Sequence, residues 1–211
     1  MLFAMLGLGP FSSYVKLCFF SPLLQQSMAK EDRFLALLRG INVGGKNIIA
    51  KDDLKACFED IGCGSVKTYI QSGNILFRSP EKPLKQLITT VENGLAQRFD
   101  YQARAIVIPY AKYKSAVAST PEDWGKVDSH KHNALFTLQG ITPGSILKKM
   151  KPPKLDIEQV SIGPGVLFWS VSKEHQTKST MLKFASTPEY QQVTVRNHNT
   201  VFKLLQLFEQ I

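Results

Sequence analysis

Residues 34–108 and 134–195 pass through the same order of hydrophobic periods: strand, helix, strand, strand, helix, strand. In the first stretch the apolar run Phe34-Leu35-Ala36-Leu37-Leu38 reads as a buried strand and runs into a glycine-rich loop. Leu54, Cys57, Phe58 and Ile61 then fall at i, i+3, i+4 and i+7, with Asp52-Asp53 ahead of them and Gly62 behind, which predicts a helix with both terminal signals. Residues 65–70 and 75–78 read as strands joined by the turn residues Gln71-Ser72-Gly73-Asn74. Leu84, Leu87, Ile88, Val91, Leu95 and Phe99 form a second helical stripe, and residues 103–108 a fourth strand.

The second stretch repeats this order with strands at 134–138, 157–162, 166–171 and 193–195 and helices at 145–150 and 179–186. Between the two lies a connector, helical around Tyr113 and Val117, in which Thr120-Pro121-Glu122 reads as a further helix start. Val201, Leu204, Leu205 and Phe208 predict a final helix with Asn199 as its N-cap. Short echoes fall at equivalent points, Leu38-Arg39-Gly40-Ile41-Asn42 against Leu138-Gln139-Gly140-Ile141-Thr142 and Gly73-Asn74-Ile75-Leu76-Phe77 against Pro164-Gly165-Val166-Leu167-Phe168, which favours tandem duplication. The expected fold class is therefore α+β: two tandem ferredoxin-like βαββαβ halves with a C-terminal helix. Residues 28–109 form the first half, 110–131 the connector and 132–211 the second half with its helix. Several strands are apolar on both faces, so the open faces of the two sheets are expected to pack on each other.

The net charge of +9 is spread over both halves, so it suits either solubility or attraction of phosphates, nucleotides or nucleic acid. The three cysteines, Cys18, Cys57 and Cys63, fit neither a disulfide framework nor a zinc pattern, and a reducing cytoplasm is the expected compartment. No apolar run is long enough to span a membrane. Residues 1–27 are apolar but interrupted by Pro10, Lys16 and Pro22, and lack a basic start. They read as an upstream start ahead of Met28, as a signal segment, or as an accessory piece, and are expected to form a non-core extension.

Three segments now stand out together: F-L-A-L-L-R-G-I-N-V-G-G-K-N at 34–47, T-Y-I-Q-S-G-N-I-L-F at 68–77 and V-R-N-H-N-T-V-F-K-L at 195–204. They resemble the bacterial family catalogued as domain of unknown function 1697, from about residue 32 to the C-terminus. One departure is His198, where the family pattern has tryptophan. The resemblance implies the fold and a choice of residues, and carries no activity.

Gly40 to Asn47 spells G-x-x-x-x-G-K-N, one residue from a phosphate-binding loop. Asn47 stands where that loop needs a hydroxyl for Mg²⁺, which disfavours nucleotide hydrolysis. Either the backbone N–H groups of Gly44 and Gly45 face an anion together with Lys46, or the glycines only turn the chain. In a βαββαβ unit the end of the first strand and the hairpin between the second and third share one edge. Arg39, Asn42, Lys46, Asn47, Gln71, Ser72 and Asn74 should converge there as a donor-rich cluster, unless the amides and hydroxyls merely satisfy loop backbone. Arg196, Asn197 and Asn199 precede the last helix and offer either a second anion contact or capping and a surface arginine. No Asp, Glu or Cys cluster joins His130 and His132 locally, so no metal is expected, and no cofactor signature is present. The first and third strands match neither RNP pattern, which disfavours RNA recognition of that type. The leading expectation is a cytoplasmic protein binding a small phosphate- or nucleotide-like anion at the loop after strand one. An enzyme acting on a phosphate- or carboxylate-bearing substrate, or a nucleic-acid binder, is the alternative.

Overall fold

In the computed structural model, residues 31–41, 48–70, 73–80, 83–99 and 104–211 are described. Residues 1–30, and with them the expectations about the N-terminal extension, lie outside this set. Among the described residues the protein is a mixed α+β molecule with two four-stranded antiparallel sheets and six α-helices. The first sheet holds β1 (Glu31–Arg39), β2 (Gly64–Tyr69), β3 (Asn74–Pro80) and β4 (Arg104–Pro109) in the order β2-β3-β1-β4. The second holds β5 (His130–Thr137), β6 (Glu158–Gly163), β7 (Val166–Ser172) and β8 (Val193–Asn197) in the order β6-β7-β5-β8. Helices α1 (Lys51–Asp60) and α2 (Leu84–Phe99) connect the first sheet, and α4 (Pro143–Lys149) and α5 (Thr180–Phe184) the second. Between the sheets in sequence is α3 (Tyr110–Ala118), and α6 (His198–Phe208) ends the chain.

Strand alternation sorts the side chains into three cores. On β1, Phe34, Ala36 and Leu38 face α1 and α2, while Leu35 and Leu37 face the opposite way. That second face meets a middle core to which both sheets contribute, with Leu76 and Ile106 on one side and Ala134, Phe136, Val166 and Phe168 on the other. The halves do not close on each other by bare sheets. Helix α3 lies on β1 and β4, α6 lies on β5 and β8, and the two helices pack together. Tyr113 of α3 stacks near Phe136 and Phe208 and donates its hydroxyl to the Val201 carbonyl of α6 at 3.0 Å. The third core joins the other face of the second sheet to α4 and α5, with Trp169 fully buried at its centre.

Two local expectations are overturned. Asn199 is not the N-cap of the last helix. Asn197 holds that position, its Oδ1 accepting from the Thr200 N–H at 2.9 Å, because β8 continues to Asn197 and leaves no residue between strand and helix. The Thr120-Pro121-Glu122 signal starts no helix; the segment is a series of turns that brings Trp124 down onto Phe168. Burial of one aromatic anchor there outweighs local helix propensity.

Candidate functional site

Strand β1 ends at Arg39, whose odd-numbered position continues the Leu35 and Leu37 series, so its side chain leaves the sheet on the face turned toward the second half. Its Nη1 donates to the Val193 carbonyl at 3.0 Å, and its guanidinium lies 5.0 Å from the Tyr190 ring centroid. Antiparallel pairing of β1 with β4 sets Arg104 directly opposite Arg39. Like charges in a cross-strand pair repel, and no ion pair among the described residues involves Arg104, which is exposed. The two arginines border a cleft of about 490 Å³ between the halves, closed on the other side by Leu138, Gln139, Ile141, Pro188 and Gln192. Glu92 of α2 also borders it, with its Oε1 accepting the Ala105 N–H at 3.0 Å. The Gln192 Oε1 is buried and accepts no hydrogen bond within the described protein.

Beneath the same edge sits Arg196, 7% exposed and so no surface arginine. Its Nε donates to Asn74 Oδ1 at 2.5 Å, Nη1 to Thr194 Oγ1 and the Val195 carbonyl at 2.8 Å each, and Nη2 to the carbonyls of Leu38 at 3.1 Å and Gly73 at 3.4 Å. All five guanidinium donors thus have acceptors in the two halves. Burial pulls its pKa down to about 10, which still leaves it a cation at neutral pH. The edge therefore carries a fixed buried positive charge that holds the ends of β1 and β3 against β8.

Asn74 in turn donates its Nδ2 to the Tyr69 carbonyl at 3.0 Å, closing the β2–β3 hairpin. Gly73 adopts φ +68°, and a Cβ there would come within 2.8 Å of Leu38 Cβ, so only glycine fits between hairpin and strand. Leu37 and Tyr69 both pair with Asn74, so the end of β1 and the hairpin share one edge, as topology predicts. Of the candidate ligand residues, Arg39, Asn74 and Arg196 meet here, while Asn197 caps α6 and Asn199 is exposed in its first turn. Asn42, Gly44, Gly45, Lys46, Asn47, Gln71 and Ser72 lie outside the described residues.

Sequence reading missed Arg104 and Gln192. Arg104 was recoverable, because a strand order that puts β4 beside β1 sets the first residue of β4 against the last of β1. Gln192 had no local signal, since it belongs to a 3-10 turn of the other half.

Of the two β5 histidines, His132 is held in place by the fold. His132 is buried, its Nε2 sits 3.0 Å from the Val127 carbonyl and must donate to it, and Nδ1 then accepts from Ser170 Oγ at 2.8 Å. Burial, first of all, lowers its pKa, with His198, His130 and Lys173 adding to the effect and the Val127 carbonyl opposing it. Among the described residues no group of three or more His, Cys, Asp or Glu could hold a metal ion, and no helix is long and apolar enough to cross a membrane.

The family described as Protein of unknown function (DUF1697) matches residues 32–168. The chain belongs to that family. Among solved structures this DUF1697 chain is similar to the conserved bacterial protein SP0830 from Streptococcus pneumoniae, at 27% identity and a TM-score of 0.75, over 84% of this chain and 99% of that one. An unknown protein from Galdieria sulphuraria matches at 11% identity over 79% of this chain and 97% of that one, with a TM-score of 0.25. No curated protein matches. The DUF1697 match takes in Arg39, Asn74 and Arg104 and ends within β7, before Arg196.

Proposed function

We propose that this protein binds a small phosphate- or nucleotide-like anion at the edge of the first sheet, where β1 ends at the cleft between the halves and a glycine-rich segment follows in sequence. The observation that carries the reading is the cross-strand pair Arg39 and Arg104, two cations set opposite each other on the floor of that cleft. An anion between them would accept charge-assisted hydrogen bonds from both. The proposed ligand set also includes Asn42, Gly44, Gly45, Lys46 and Asn47 of the glycine-rich segment that follows β1 in sequence, and Gln71 and Ser72 between β2 and β3. The architecture behind this edge is read as two tandem ferredoxin-like units, 28–109 and 132–211, since each sheet shows the same strand order for the same βαββαβ connections. A cytoplasmic setting suits the buried thiol of Cys57.

Calorimetric titration with inorganic pyrophosphate and with adenosine monophosphate tests the reading. At least one should bind, and Arg104→Ala and Lys46→Ala should each weaken binding about tenfold to a hundredfold, the worth of a charge-assisted hydrogen bond. No binding by the unaltered protein, or binding indifferent to both substitutions, would overturn it.

A further inference from the structure

We infer that the ligand of this edge is an amphipathic organic anion, its charged head between Arg39 and Arg104 and its apolar body in a second cavity alongside. The inference rests on the anion reading above and narrows it. The second cavity, of about 340 Å³, is walled by Ile106 and Ile108 of β4, Ala116 of α3, Phe136 of β5 and Pro164 of the β6–β7 turn. It meets the arginine cleft at Ile88, Leu138, Gln139 and Ile141, which border both. Charge and apolar surface therefore sit side by side along one seam between the halves.

The lining decides which anion fits. A purine or ribose entering the second cavity would leave several donors and acceptors without partners, because the walls are mostly hydrocarbon and the Thr137 hydroxyl is already donated to the Ile141 carbonyl at 2.8 Å. An alkyl chain or a plain aromatic ring loses nothing there and gains by leaving water. The volume is at the lower end of that of small-molecule sites, enough for a short chain or one ring. At the other end of the seam, the buried Gln192 Oε1 would accept from a hydroxyl or amide N–H next to the charged group. Lys112 and Ser115 of α3 stand at the rim of the apolar cavity.

The test is a calorimetric series of methyl, butyl and octyl phosphate with 1-octanol as the uncharged control. Each methylene buried multiplies affinity roughly fourfold, so octyl phosphate should bind at least about twentyfold more tightly than methyl phosphate, and 1-octanol far more weakly than octyl phosphate. Ser115→Trp, at an exposed position on the cavity rim, should abolish the gain from the chain and leave methyl phosphate binding unchanged, whereas Arg104→Ala should weaken both esters. If methyl phosphate binds in an Arg104-dependent manner but the longer chains add nothing, or if Ser115→Trp leaves their advantage intact, the amphipathic inference fails while the anion reading stands. If methyl and octyl phosphate both bind without regard to Arg104, the anion reading itself fails. The chain-length series needs no substituted protein, so a folding defect in either variant does not blunt it.

Discussion

Arg196 shows how one side chain can be both buried and charged. Its five donors are met by oxygens drawn from β1, the β2–β3 turn, β3 and β8, so removing the guanidinium strands buried acceptors in both halves at once. Arg196→Met should cost about 3 kcal/mol or more in chemical denaturation, while Arg104→Ala, at an exposed position, should stay within about 0.5 kcal/mol. A mild effect of Arg196→Met would mean that the hairpin holds its place without it. His132 offers a second test at this scale. Its pKa is lowered from 6.5 on folding, so as pH falls below that value the unfolded chain takes up more protons than the folded one, and stability falls with acidification. The melting temperature should drop between about pH 7 and pH 5, and His132→Gln should flatten that part of the profile. An unchanged slope in the variant would assign the acid sensitivity to other groups.

At the scale of elements, the strand-to-helix junction of β8 and α6 is the sharpest case of a short-range signal misread by two residues. Asn197 and Asn199 are equally good caps by type, and only the length of the strand selects between them. Asn197→Ala should destabilise the protein by about 1 kcal/mol, and Asn199→Ala by no more than about 0.5 kcal/mol. The reverse order in thermal melts would restore Asn199 as the cap. The adjoining α5 illustrates how a buried acid can serve a short helix. Burial pushes Glu158 upward, yet hydrogen bonds from Ser179, Lys154 and Thr180 outweigh it and leave its pKa below the ordinary carboxylate value. Helix α5 is thus tied to β6 at its first turn, and the third core closes over Trp169.

For the whole molecule, the middle core is the decisive feature, because neither half can bury it alone. Expressed by itself, the segment 28–109 would expose Leu35, Leu37, Leu76 and Ile106 along one sheet face. It should self-associate in analytical ultracentrifugation or bind a hydrophobic dye; a monomer that melts like the full protein would show that the halves are independent. Much of this was legible in the sequence by itself. The order of strands and helices, the two-sided apolar strands and the convergence of the β1 end with the β2–β3 hairpin follow from period, turn chemistry and crossover geometry, all of which act between near neighbours in the chain. What only the tertiary structure decided lies across long separations. It placed α3 and α6 between the sheets, set Arg39 against Arg104, used Arg196 to pin the first half to β8, and brought Gln192 of one half to a cleft floored by the other. Those contacts depend on which surfaces fit together after the local elements exist, and no window of the sequence contains both partners.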